Sequence, residues 1–212
     1  MVLNDLPVGG PVPEARVDPP PRVALQGTFV TLEPIDPARH AEGLFAAGHG
    51  SAAAESLWTY MPYGPFPDAA GMRTWLEALP ASEDPLFFAV LRDGRPIGMT
   101  SFLNVDTAMR RVEIGHIWYG PADQRTEANT EACLLMLRWA FEAGYRRVEW
   151  KCDALNARSR AAAERLGFQF DGIFRRHMIV KGRNRDTAWF SLLDEEWPTT
   201  RARLGARLSA PA

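Results

Sequence analysis

Apolar and polar positions alternate along much of this chain with the period of strands, broken by stretches with the period of helices. Residues 28–35 read Thr-Phe-Val-Thr-Leu-Glu-Pro-Ile, a β-rich run closed by Asp36 and Pro37, which suit the N-cap and first position of a helix to about Leu44. Residues 57–66 are aromatic and proline-rich, a composition for a fixed loop, and a second helix is expected after Asp68. The apolar runs 86–91 and 97–103 flank Asp93-Gly94 and predict a hairpin, with a third strand at Arg111–Tyr119 after a turn near Asp106. Residues 127–143 then change to helical spacing, Leu134, Leu137, Ala140 and Phe141 sharing one stripe, and Gly144 ends the helix. A strand at 147–152, a helix at Ala157–Leu166 and strands at 168–174 and 187–192 complete the pattern. Mostly antiparallel strands with one strand–helix–strand crossover predict an α/β fold, a mixed central sheet flanked by helices.

Residues 1–26 do not join this pattern. Pro7, Pro11, Pro13, Pro19, Pro20 and Pro21 prevent helix or ladder formation, so the segment reads as an extended arm, a disordered leader in preference to a strap across a partner. The domain is expected over 27–198. In the tail, 199–212, Leu204 and Leu208 recur among Arg201, Arg203 and Arg207, an amphipathic stretch that docks on the domain or a partner or else frays; a homodimer is left open.

The 212 residues, 46% hydrophobic and 24% charged, suffice for one sizeable core. A net charge of -2 gives no long-range pull on nucleic acid or anionic lipid, so neither is expected as a partner and any anionic ligand needs a local site. Cys133 and Cys152 form no C-x-x-C pair and read as packing residues; no metal is expected. No run approaches the ~20 apolar residues of a membrane span, and the protein is expected to be cytoplasmic.

The chemistry concentrates where the strand Arg111–Tyr119 delivers residues 120–126 onto a helix. Unpaired amides and the positive end of a helix dipole converge there, which suits a phosphate, and Arg125 adds a full charge. Capping alone equally explains Thr126, Asn129 and Thr130. At Gln124-Arg125-Thr126-Glu127-Ala128-Asn129-Thr130 the chain resembles the GNAT superfamily, whose pyrophosphate motif is Gln/Arg-x-x-Gly-x-Gly/Ala. Gln124 fits the first position. Glu127 and Asn129 replace small residues, as in the branch of ribosomal-protein N-terminal acetyltransferases (RimJ/RimL-like). Asn156-x-x-Ser159 followed by Glu164-x-Leu166-Gly167-Phe168 matches a second motif of the family, and the segment from Arg175 to Pro198 resembles the branch's closing hairpin.

The resemblance implies an acetyl-CoA-dependent N-acetyltransferase in which the amine attacks the thioester directly, with central strands that splay to admit acetyl-CoA. It implies backbone amides near Ile117, Trp118 and Tyr119 for the oxyanion, residues 124–130 for the pyrophosphate, and Asn156 and Ser159 for pantetheine and sulfur. Glu113 is the candidate base, or else a strand residue paired with Arg111 or Arg147. His116 should point away from it by strand alternation. Ala163 stands where many members carry the tyrosine acid, which leaves Ser159 beside the thiolate. Trp58, Tyr60, Met61, Tyr63 and Phe66 either wall an acceptor pocket or form a satellite core. The acceptor is a protein or peptide N-terminus or a small amine; a non-catalytic acyl-CoA sensor is the alternative.

Overall fold

The computed structural model describes residues 7–79 and 82–209; the first six residues of the arm and the last three of the tail lie outside it. One eight-stranded sheet organises the chain, in the order β1-β2-β3-β4-β5-β6-β8-β7. Its strands are β1 (Leu25–Gln26), β2 (Thr31–Pro34), β3 (Leu86–Arg92), β4 (Arg95–Asp106), β5 (Arg111–Tyr119), β6 (Arg147–Asp153), β7 (Gln169–Val180) and β8 (Arg183–Leu193). All neighbours pair antiparallel except β5 and β6, which the crossover helix makes parallel. The helices are α1 (Pro37–Gly48), α2 (Ala52–Glu55), α3 (Ala69–Glu77), α4 (Glu127–Glu142), α5 (Ala157–Leu166) and α6 (Trp197–Ser209). The mixed, mostly antiparallel α/β sheet read from the sequence is the fold observed.

Local chemistry sets most boundaries. The Asp36 carboxylate accepts from Ala38 and Arg39 amides with Pro37 at N1, which starts α1. Asp68 does the same for α3 through Gly71 N. Asp93 and Gly94 both take positive φ and close the β3–β4 hairpin. Gly167 ends α5 at φ +105, where a side chain would also strike Thr200, and Phe168 N bonds Ala163 O.

The core divides across the sheet. On one face α4, α5 and α6 cover Val90, Phe102, Val112, Ile114 and Phe190; on the other, α1, α3 and the 56–66 loop cover Phe87, Ala89, Met99 and Trp118. α4 alone buries Leu135, Met136 and Leu137, each worth about 1.5–3 kcal/mol of removed apolar surface. Cys133 and Cys152 are buried, as packing residues should be.

Three features add to the sequence reading. The charged residues 183–186 belong to β8, and the chain turns at Lys181-Gly182, both at positive φ. The tail forms α6, docked through Trp197 and Leu204. From residue 7 the arm lies along the domain instead of running free: Val17 is buried, Tyr145 Oη donates to Asp18 O at 3.0 Å, and Arg110 donates to Pro13 O.

Candidate active site

The parallel pairing of β5 and β6 stops at Glu113–Glu149, although the strands continue to Tyr119 and Asp153. From Ile114 onward that edge of β5 has no strand beside it among the described residues, so its backbone groups are open to a ligand. The splay expected from the resemblance is this fork.

β5 is also bulged inside the fork. β4 sets Ser101 against Gly115 and Met99 against Trp118, which leaves one more residue on β5 than on β4, and His116 takes φ +53. The extra residue reverses the alternation used to place His116. Its ring lies 4.8 Å from Phe87 and 5.6 Å from Tyr63. Phe87 belongs to the Ser101–Gly115 row, the face that Glu113 also occupies, so His116 and Glu113 share a face.

Glu113 is 2% exposed and accepts from Asn104 Nδ2 at 2.7 Å and from Lys151 Nζ at 2.9 Å. Arg111 and Arg147, its expected partners, both pair with Glu149 instead. Burial pushes the Glu113 carboxyl above the usual carboxylate range, and the Lys151 ammonium works against that shift. His116 moves the other way: burial, helped by the charges of Lys151 and Arg185, brings its imidazole down to about 4. The ring is therefore neutral at physiological pH.

Beyond the fork, β5 feeds the loop to α4. Gln124 turns its amide back onto Tyr119 O, and Arg125, exposed, takes φ +62. Thr126 caps the helix, accepting from Ala128 N and from Arg92 Nη2 while donating to Asp123 O. Arg92 and Arg95 neutralise the buried Asp123, and Arg92 also lies 3.6 Å from Glu127. Arg92 and Arg95 thus meet two carboxylates at a helix N-terminus and the exposed Arg125 precedes the cap, a local positive charge that fits a pyrophosphate. Thr130 is buried, and Asn129 accepts from the Cys133 thiol one turn along.

On the other side of the fork, Asn156 caps α5 by accepting from Ser159 N, so its amide donors rather than its oxygen remain for a ligand. The Ser159 hydroxyl accepts from Trp150 Nε1 at 3.1 Å, which leaves its own proton to give. Ala163 is fully buried in the core.

Much of the aromatic loop packs as a satellite core. Trp58 is 1% exposed, bonds Gly48 O and packs 5.1 Å from Trp118, so it is core. Met61 and Phe66 pack against the same cluster. Tyr63 extends that cluster to His116. Tyr60 reaches across to Leu155 O, and Lys181 at the β7–β8 turn donates to Trp58 O and Gly64 O at 2.7 Å each. These contacts tie the loop to the segment after β6 and to the β7–β8 hairpin tip. Sequence reasoning put His116 on the wrong face and did not single out Asn104 or Lys151, the partners of Glu113. Lys151 alone had a signal: once β5 and β6 pair in parallel from Arg111 and Arg147, it follows Glu149 on the Glu113 face.

A family profile described as an acetyltransferase (GNAT) domain matches residues 30–169. The chain belongs to the GNAT acetyltransferase family. This is an enzyme family that draws on acetyl-CoA, and no helix among the described residues is long and apolar enough to cross a membrane. A GCN5-related N-acetyltransferase from Brucella melitensis superposes with a TM-score of 0.88 at 44% identity, covering 92% of this chain and 89% of that one. A GNAT-family protein from Chromobacterium violaceum gives 0.82 at 41% identity, over 92% and 100%. YdaF of Bacillus subtilis, provisionally named a ribosomal N-acetyltransferase, is 36% identical over 109 residues, 51% of this chain and 59% of YdaF, and so is matched over less than two thirds of its length. That similarity agrees with the RimJ/RimL-like branch read from the sequence.

Proposed function

We propose that this chain transfers the acetyl group of acetyl-CoA to a primary amine by direct attack at the fork between β5 and β6. The observation that carries the reading is the end of strand pairing at Glu113–Glu149, which opens a gap flanked by the α4 N-terminus and by Asn156 and Ser159. Residues 124–130 hold the pyrophosphate, and the amides of Ile117, Trp118 and Tyr119 face the thioester carbonyl where negative charge develops. Ser159, its oxygen held by Trp150, gives a hydrogen bond to the departing sulfur. Glu113, its carboxyl raised by burial, receives the ammonium proton through water. Tyr60 and Tyr63 border the acceptor, and Trp58 and Met61 support them from the core. The YdaF similarity favours a protein or peptide α-amine in the cytoplasm over an unrelated small amine.

Thiol release from acetyl-CoA, measured against peptides and against small amines, tests this. Turnover with one class is the expected result, and CoA binding without any turnover would replace the enzyme by a sensor. Glu113→Gln is expected to lower the rate about tenfold to a thousandfold, most at low pH, and Ser159→Ala to slow the chemical step at nearly unchanged CoA affinity. Wild-type rates in both variants would remove these two assignments.

A further inference from the structure

Arg185 has no role in the reaction described so far. It is 9% exposed, its Nε has no hydrogen-bond partner, and it enters no salt bridge among the described residues. β8 keeps strict alternation here, so Arg185, Thr187 and Trp189 share a face, and Trp189 pairs with Lys151 across the β6–β8 ladder. Lys151 Nζ lies 4.9 Å from the Trp189 ring centre and bonds Glu113, which puts Arg185 on the Glu113 side of the sheet. Its charge is among those that depress the His116 imidazole on β5, which is on that same face. Trp189 Nε1 is a second buried donor without an acceptor on this face.

Burying the Arg185 Nε donor without an acceptor is costly, and the carboxylates on this face are engaged. Glu113 holds Lys151, and Glu149 holds Arg111 and Arg147. The fork side of β8 thus presents a surplus cation and donors in want of acceptors. With the pyrophosphate at residues 124–130 as proposed, the phosphates of acetyl-CoA lie at the α4 N-terminus and not on β8, and the pantetheine and thioester that enter the fork are uncharged. The acceptor must supply it.

Building on the acetyl-transfer reading, we propose that the acceptor bears a carboxylate close to its reactive amine and that Arg185 binds that carboxylate. Two sources present this chemistry: the α-carboxylate of a free amino acid, and an aspartate or glutamate at the start of a peptide.

The test compares matched acids and amides on the full chain: free glutamate against glutamine and its α-amide, and peptides beginning with Asp or Glu against those beginning with Asn or Gln. A KM about tenfold or more lower for the acid is expected in one of the two sets, which identifies the source. Arg185→Gln is expected to abolish that preference by raising KM for the acid, with kcat and CoA affinity by calorimetry nearly unchanged, and Arg185→Lys to restore part of it. Equal KM for acid and amide in the wild type overturns the proposal. So does an equal fall in kcat for both in Arg185→Gln, because Arg185 would then act on charge developing in acetyl transfer. If no amine turns over, calorimetry of the same pairs with the CoA-loaded protein decides. Acid-selective binding lost in Arg185→Gln sustains the carboxylate site while the transfer reading fails; absence of selective binding ends both. Should Arg185→Gln not fold, the acid preference of Arg185→Lys against wild type decides in its place, an unchanged preference and affinity counting against a site that needs the guanidinium fork.

Discussion

His116 is held by its neighbours in two respects: its backbone at φ +53, which a bulge requires of it, and its ring between Phe87 and Tyr63. Its folded pKa of about 4 against 6.5 for an unperturbed imidazole means that the unfolded chain takes up a proton the native site refuses. This contribution to stability is complete above pH 6.5 and is lost as pH falls through about 4, in total about 3 kcal/mol from a shift of that size. His116→Phe keeps an aromatic ring of similar shape and has no proton to accept. Chemical denaturation at pH 7.5 and pH 4.5 is expected to show a smaller acid-side loss in the variant than in the wild type. Identical losses would mean that the ring titrates freely in the folded protein.

At the scale of elements, α4 carries two jobs at opposite ends of one helix. Its body buries Leu135, Met136, Leu137 and Ala140 against the sheet, and its first turn meets the loop whose Arg125 stands exposed at left-handed φ. Because Arg125 contributes no buried surface, Arg125→Glu is expected to leave the melting temperature close to wild type. If residues 124–130 hold the pyrophosphate as proposed, the substitution reverses a charge beside it and is expected to weaken CoA binding by at least about 1 kcal/mol, or roughly fivefold, by calorimetry. Unchanged affinity would move the phosphates away from residues 124–130. The same helix accounts for a second contact that the sequence did not announce. The Glu131 carboxylate accepts from the amides of Thr28, Phe29 and Val30 at 2.6–2.7 Å, which fixes the entry to β2 against α4.

Across the whole molecule, the arm bears on the domain at a point far from it in sequence. Val17 enters the core beside Gly144, and Asp18 O receives the Tyr145 hydroxyl. Val17→Ala is expected to cost about 2 kcal/mol, given the loss of two buried methyl groups and the space they leave, and so to lower the melting temperature by roughly 5 °C in a chain of this size. Deleting residues 1–22 should lower it further, in differential scanning calorimetry. A deletion that melts with the wild type would show that the arm adds nothing to the fold. A disordered leader is the natural reading of its prolines, since composition reports what a segment cannot form by itself and not what surface lies beside it.

What the sequence by itself determined was local. Asp36-Pro37, Asp93-Gly94 and Gly167 set element ends through contacts within a few residues, and the spacing of apolar side chains in α4 set its buried face. The two motifs at 124–130 and 156–168 named the family because they are contiguous in the chain. Tertiary structure alone decided which charges meet. Glu113 pairs with Lys151 instead of Arg111 or Arg147 because the β5–β6 register places it there. His116 turns to the Glu113 face because β5 holds a residue that β4 does not match. Arg185 Nε finds no acceptor among the described residues because strands distant in sequence close around it. Strand register, bulges and the pairing of buried charges depend on several elements packing at once, and no pattern along a single segment encodes them.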